Sequence, residues 1–186
     1  MPKGILICGL NGAGKSTLGK VVAKRIDYHF IDNEDLYFPK TDPKYIYSSP
    51  RTREEVTELL FQEIKIHENF VFTSVKGDYG EVFYPFLQCA VLIQVPKDIR
   101  MKRIRDRSFQ KFGDRMLSGG DLFEREESFF NFAESRAENT VEEWIKSLNC
   151  PIIRIDGTKS VDENADYIIK YIQKYSPANG GITAAL

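Results

Sequence analysis

The sequence predicts a three-layer α/β/α domain on a five-stranded parallel sheet, and three observations carry that expectation. Five apolar, strand-like runs, at about 4–9, 28–32, 69–75, 89–95 and 151–155, are separated by helix-length segments, which read as βαβ units. The segment Gly9-Leu10-Asn11-Gly12-Ala13-Gly14-Lys15-Ser16 fits G-x-x-x-x-G-K-[ST] and stands between the first run and a helical pattern. At 186 residues the chain has the length of one α/β domain with a core of its own.

The elements follow in order. Gly4-Ile5-Leu6-Ile7-Cys8 is an apolar run of buried-strand character, and Leu18, Val21, Val22 and Ile26 then recur at helical spacing. After the second strand, residues 51–68 carry Val56, Leu59, Leu60 and Ile64 on one face, with Ser48-Ser49-Pro50 as a start signal. Pro96 opens a basic helix over 97–112; residues 124–148 read as one long helix and 161–175 as the last. Lys111 to Asp121 is glycine-rich and flanked by arginines, and residues 177–186 form a loose tail without pattern. One domain over 1–176 is expected, with the amphipathic face that bears Trp144 turned to the core.

Composition narrows the function classes. The formal net charge of −1 offers no global basic field, which argues against nucleic-acid and membrane-surface partners. Neither a signal peptide nor an apolar run of membrane-spanning length is visible, so a cytoplasmic protein is expected, as a monomer or homodimer. Cys8, Cys89 and Cys150 read as buried, reduced thiols. The two histidines, His29 and His67, show no metal-ligand neighbour at useful spacing, so no zinc site is expected.

The glycine-rich segment carries the chemistry. Its glycines let successive backbone N–H groups point into one concavity, and the following helix aims its positive end at the same place. Gly9, Asn11, Gly12, Ala13, Gly14, Lys15, Ser16 and Thr17 are therefore the nucleotide-binding candidates. Lys15 supplies an ammonium for the terminal phosphates and Ser16 a hydroxyl for Mg²⁺. Other motifs choose among the proteins that use such a loop. The Asn-Lys-x-Asp signature of guanine readers is missing. AAA-type and transporter ATPases would end a later strand in Asp, where Asn69-Phe70-Val71-Phe72-Thr73-Ser74 has Thr73 and Ser74.

Taken together, the chain resembles the small P-loop kinases of the nucleoside monophosphate kinase and shikimate kinase type. The resemblance rests on the phosphate loop, on Phe30-Ile31-Asp32-Asn33-Glu34-Asp35, on Arg103-Ile104-Arg105-Asp106-Arg107, and on Ile155-Asp156-Gly157-Thr158-Lys159-Ser160. It implies the P-loop NTP hydrolase fold with a lid insertion at about 108–125, and transfer of a phosphoryl group from ATP, with Mg²⁺, to a small-molecule acceptor. It also implies roles. Asp32 is the first choice for the outer carboxylate on Mg²⁺ and Asp35 the second, and either could instead accept the proton of a substrate hydroxyl. Arg103 and Arg107, four apart on one helix face, would grip phosphates, and Arg115 in the lid would close over them, with Arg125 and Arg136 behind. Gly157 would lie against the adenine.

The acceptor side is expected between residues 33–68 and the segment after the third strand. Arg51 and Arg53 resemble the arginine that holds an anionic acceptor, and Gly77 belongs to Lys76-Gly77-Asp78-Tyr79-Gly80, which departs from the family's patterns. Residues 36–47 are rich in Tyr and Phe, either a wall that stacks on a base or a loop packed by its own aromatics. The acceptor is a nucleotide, a nucleoside or a hydroxylated metabolite. The rival from another class is a non-catalytic or regulatory ATP-binding protein, or a partner-dependent NTPase.

Overall fold

In the computed structural model, residues 3–175 are described, so the expected tail at 177–186 lies outside them. Strands β1 (Lys3–Cys8), β2 (His29–Asp32), β3 (Asn69–Ser74), β4 (Leu87–Gln94) and β5 (Ile152–Asp156) form one parallel sheet in the order β2-β3-β1-β4-β5. The helices are α1 (Lys15–Ile26), α2 (Asn33–Tyr37), α3 (Arg53–Ile66), α4 (Lys97–Phe112), α5 (Phe123–Ser135), α6 (Thr140–Ile145) and α7 (Val161–Tyr175).

The period-2 alternation of β1 divides the core into its two layers. Ile5 and Ile7 join Leu18 and Val22 of α1 and Ile168 of α7 on one face. Leu6 and Cys8 join Leu60 and Ile64 of α3 and Val141 and Ile145 of α6 on the other. From β1 the chain runs to the β2 edge, whereas from its neighbour β4 it runs the opposite way to β5. The two connections diverge and open a crevice at the carboxyl end of β1, the place where such sheets hold ligands.

Local chemistry explains the element limits. Helix α3 starts at Arg53, with Thr52 as its cap: Glu55 N–H donates to Thr52 Oγ1 (3.2 Å) and Thr52 N–H to Glu55 Oε2 (2.8 Å). This capping box, rather than Ser48-Ser49-Pro50, begins the helix. The five-residue α2 was not expected, yet Asp32 caps it by accepting from Glu34 N–H at 3.0 Å. The single helix expected over 124–148 is two helices. Helix α5 ends at Ser135 and Arg136 is extended (φ −65°, ψ 127°). The break lets α5 bury Phe130 and Ala133 against Ile104 and Met116 while α6 buries Val141 and Ile145 against the sheet. Two different cores claim the two halves, and one straight helix cannot reach both.

Other expectations concern single residues. Trp144 packs half-buried against the layer of α3 and α6. Cys8 and Cys89 are buried free thiols, and Cys150 is a half-buried one. The histidines overturn the view that they lack metal-ligand neighbours. Their rings stack at 3.4 Å and 11°, and Glu63 Oε2 lies 2.7 Å from His29 Nε2 and 3.6 Å from His67 Nε2. The start of β2 meets the end of α3 in space, which sequence spacing between the histidines does not reveal. Among the described residues, no helix is long and apolar enough to cross a membrane.

Arg100 is the polar exception in the core, with 2% of its surface exposed. Its Nε donates to the Val95 carbonyl (3.1 Å), one terminal nitrogen to the Asn11 carbonyl (3.2 Å) and the other to Glu138 Oε1 (2.5 Å). Arg100→Ala strands these acceptors around a hole, and a loss of about 3 kcal/mol in urea unfolding is expected. A midpoint equal to that of the parent chain would refute that role.

Candidate active site

The phosphate loop sits in the crevice after β1. Gly9 N–H donates to the Val75 carbonyl (3.3 Å) and Ala13 N–H to the Leu10 carbonyl (3.1 Å), which curls the segment on itself. Gly12 (φ 80°) and Gly14 (φ 94°) occupy the left-handed region, and a Cβ at Gly12 would run into the Arg100 carbonyl. Gly14 precedes α1 without any side-chain cap. The first N–H groups of α1 have no carbonyl within the helix, so they remain as donors for an anion. The buried Asn11 Oδ1 in the same loop has no hydrogen-bond partner.

Lys15 arches back so that its ammonium donates to the Leu10 carbonyl at 3.1 Å. Burial of the ammonium lowers its pKa from 10.5 to about 8; Asp32 and Cys8 oppose the shift, while Arg107 and Arg136 add to it. Asp32, Arg107 and Arg136 thus all lie within electrostatic reach of the ammonium. Arg136 follows α5 directly, its guanidinium is 4.5 Å from the Phe132 ring centre, and burial lowers its pKa. Ser16 and Thr17 stand in the first turn of α1. A Ser hydroxyl and an Asp oxygen are hard ligands of the kind Mg²⁺ takes, so the donor set fits that ion.

The remaining candidates fall into two groups around this centre. Arg103 donates to the Gly157 carbonyl at 3.1 Å. A Cβ at Gly157 would press on Ile93, Val95 and the Ala13 carbonyl, so the β5–α7 turn rests directly on the phosphate loop. On the other side, Glu34 joins α4 to the loop after α2. Its carboxylate accepts from Tyr47 OH (3.1 Å) and lies 4.0 Å from Arg107 and 3.9 Å from Lys111, which also donates to Tyr47 OH. Asp35 pairs with Lys40, at the surface. Arg51 donates to the Leu36 carbonyl (2.7 Å), and Arg53 donates to the Asp78 carbonyl with its guanidinium 5.9 Å from the Tyr79 ring centre. Tyr79 OH donates to Asn33 Oδ1, and Gly77 has Leu6 and Phe83 where a Cβ would stand. Asn33, Arg53 and Tyr79 thus meet between α2, the start of α3 and residues 76–80.

Arg115 is engaged elsewhere. It makes two bonds to Asp121 (2.9 and 2.7 Å) and one to the Lys44 carbonyl (2.7 Å), so it joins residues 113–121 to the loop at residue 44. Of the two readings of residues 36–47, the packed loop matches the contacts. Phe38 and Tyr47 rings lie 5.0 Å apart, Tyr45 and Phe112 5.4 Å, and Tyr45 OH donates to the buried Glu126 (3.0 Å).

Reasoning from sequence missed Arg100, treated only as one more charge on a basic helix. Arg100, Ile104 and Ser108 follow one another at i, i+4 and i+8 and form the buried stripe of α4, and that register was the available signal. A cavity of about 510 Å³ lies behind the phosphate loop, lined by Leu10, Arg100, Glu138 and Asp156, and one of about 850 Å³ lies between residues 78–87 and 147–150.

A family described as an AAA domain matches residues 5–116. The chain belongs to that family. The missing carboxylate at the end of β3 had argued against AAA-type proteins, and the match corrects that inference, although β3 still ends in Thr73-Ser74. An uncharacterized protein of Bacillus subtilis (strain 168), YqaC, is 29% identical over 180 residues, covering 92% of this chain and 98% of its own. A shikimate kinase of Francisella tularensis subsp. holarctica is 36% identical over 73 residues, 34% of this chain and 42% of its own. Among solved structures, a gluconokinase from Sinorhizobium meliloti 1021 superposes with a TM-score of 0.54 at 15% identity, covering 95% of this chain and 98% of its own. A deoxyadenosine kinase from M. mycoides gives 0.52 at 17%, covering 92% and 99%. The fold is thus that of the P-loop small-molecule kinases.

The Lys15 ammonium gives the site a pH signature. It is charged below about pH 8 and attracts polyphosphate; above that value the free protein loses the proton, while bound anions favour its return. Nucleotide binding should therefore take up a proton, and the dissociation constant should rise by up to about tenfold per pH unit above pH 8. Titration calorimetry between about pH 7 and 9 tests this. A flat profile would take the Lys15 ammonium out of phosphate recognition.

Proposed function

We propose that the protein is an ATP- and Mg²⁺-dependent phosphotransferase whose acceptor is a small hydroxylated molecule carrying an anionic group. The observation that supports it most is the phosphate loop itself, with Gly12 and Gly14 in the left-handed region, the uncapped start of α1 and the Lys15 ammonium arched back onto the Leu10 carbonyl. Phosphoryl transfer makes modest covalent demands on a protein. It requires the γ-phosphoryl in line with the acceptor oxygen and its spreading charge neutralised. The loop N–H groups and Lys15 hold the terminal phosphates, and Arg107 and Arg136 meet the charge that develops on the equatorial oxygens. Mg²⁺ on Ser16 and Asp32, when bound, would neutralise part of the phosphate charge.

In the transfer itself, an acceptor oxygen forms the new P–O bond as the bond to the β-bridging oxygen breaks and ADP leaves. The hydroxyl proton passes to a carboxylate. With Asp32 taken up by Mg²⁺ and by the Glu34 N–H, Asp35 is the carboxylate for that proton, because its surface partner Lys40 is exchangeable. Arg53 and Asn33 on the expected acceptor side suit an anionic, hydrogen-bonding substrate. A regulatory ATP-binding role is the second reading, favoured by the absence of a carboxylate at Thr73-Ser74.

ADP release with ATP and Mg²⁺ separates the two when measured against nucleoside monophosphates, nucleosides, shikimate, gluconate and related hydroxy acids. Acceptor-dependent ADP supports the kinase; tight ATP binding without acceptor-stimulated turnover supports the regulator. In an active preparation, Lys15→Ala should abolish transfer, and Arg107→Ala should lower kcat by about a hundredfold while ATP affinity changes little. Normal kcat in Arg107→Ala would remove Arg107 from the transition state.

A further inference from the structure

We propose that His29, Glu63 and His67 bind a divalent transition-metal ion of the zinc class, at the end of the sheet opposite the phosphate loop. The chain has two histidines in 186 residues, and the fold brings both to one point. Glu63 and His67 lie four apart at the end of α3, on one face, and His29 opens the edge strand β2 beside them. One nitrogen of each ring and a carboxylate oxygen of Glu63 all lie within 4.8 Å of one another. A tetrahedral ion with bonds of about 2.0–2.1 Å sets its ligands roughly 3.3–3.5 Å apart. Glu63 Oε2 is 2.7 Å from one Nε2 and 3.6 Å from the other, so small side-chain rotations and a splaying of the stacked rings bring the three donors to that spacing.

The donor set decides the class of ion. Two imidazoles and one carboxylate suit Zn²⁺ and its neighbours, with one position left for water, whereas Mg²⁺ and Ca²⁺ prefer oxygen alone. The three side chains keep 34–37% of their surface exposed, so an ion can enter from solvent. The site is also placed to matter. β2 spans four residues, from His29 to Asp32, so the proposed ion and the candidate carboxylate for Mg²⁺ stand at opposite ends of one strand, roughly 10 Å apart. An ion bridging His29 and His67 would also tie together the two stems of the segment 30–66, which carries Asp32, Arg51 and Arg53.

The test uses the full chain without nucleotide. Zn²⁺ is titrated in competition with a chromophoric chelator, Co²⁺ is followed by its visible spectrum, and Tm is recorded with and without Zn²⁺. The expected result is one ion per chain, a Co²⁺ spectrum of nitrogen and oxygen ligation without thiolate charge transfer, and a Tm raised by Zn²⁺. His67→Ala and the near-isosteric Glu63→Gln should each weaken binding more than about tenfold and abolish the Tm shift, while Cys150→Ser leaves both unchanged. Circular dichroism of each variant confirms that the fold persists. The proposal is overturned if no ion binds, or if binding is the same in Glu63→Gln and His67→Ala as in the parent. Kinase activity enters neither arm, so the metal site stands or falls apart from the functional reading.

Discussion

The guanidinium of Arg100 behind the phosphate loop is the contact on which the site's geometry depends. An arginine this deep is tolerated only where its donors are matched, and here the Val95 and Asn11 carbonyls and Glu138 match them. Those partners come from the end of β4, from the phosphate loop and from the α5–α6 junction. One side chain thereby fixes the loop to the sheet and to the connection that starts at Arg136. The backbone reinforces this, because the Arg100 carbonyl fills the space a Cβ at Gly12 would need. The cradle's N–H groups are aimed before any anion arrives, and pre-aimed dipoles are what stabilise charge without reorganisation.

Around that rigid centre the cations have exchangeable partners. Arg107 lies 4.0 Å from Glu34, Arg103 touches a carbonyl of the β5–α7 turn, Arg53 touches one at residue 78, and Arg115 pairs with Asp121. Half-exposed pairs of this kind contribute little net stability. Phosphate or carboxylate oxygens could replace such partners at small cost. Ile104, Met116, Phe130 and Ala133 form a small core of their own between α4 and α5, separate from the sheet layers.

Much of this was legible in the sequence, unevenly and for physical reasons. Helix 97–112 and helix 161–175 match α4 and α7 residue for residue, because the apolar periodicity is local and Pro96 marks the start of the first. The break after Ser135 was not legible, because both halves of 124–148 are good helix formers and only their attachment to different cores separates them. The aromatic run at 36–47 could have faced a ligand or its own loop, and contacts with Phe112, far along the chain, decide for the loop.

By itself the sequence determined the phosphate loop, since a glycine pattern followed by Lys15-Ser16 constrains the backbone locally and needs no partner to be recognised. It also determined the parallel α/β architecture, because alternating strand and helix periods leave few ways to bury both faces. Only the tertiary structure decided which charges act together. Arg100 went to the core and Arg107 to Glu34, although both lie on one helix. His29 and His67 became neighbours across a strand and a helix end. Such pairings depend on the side on which each element packs, and that is fixed by the sum of buried contacts over the whole domain.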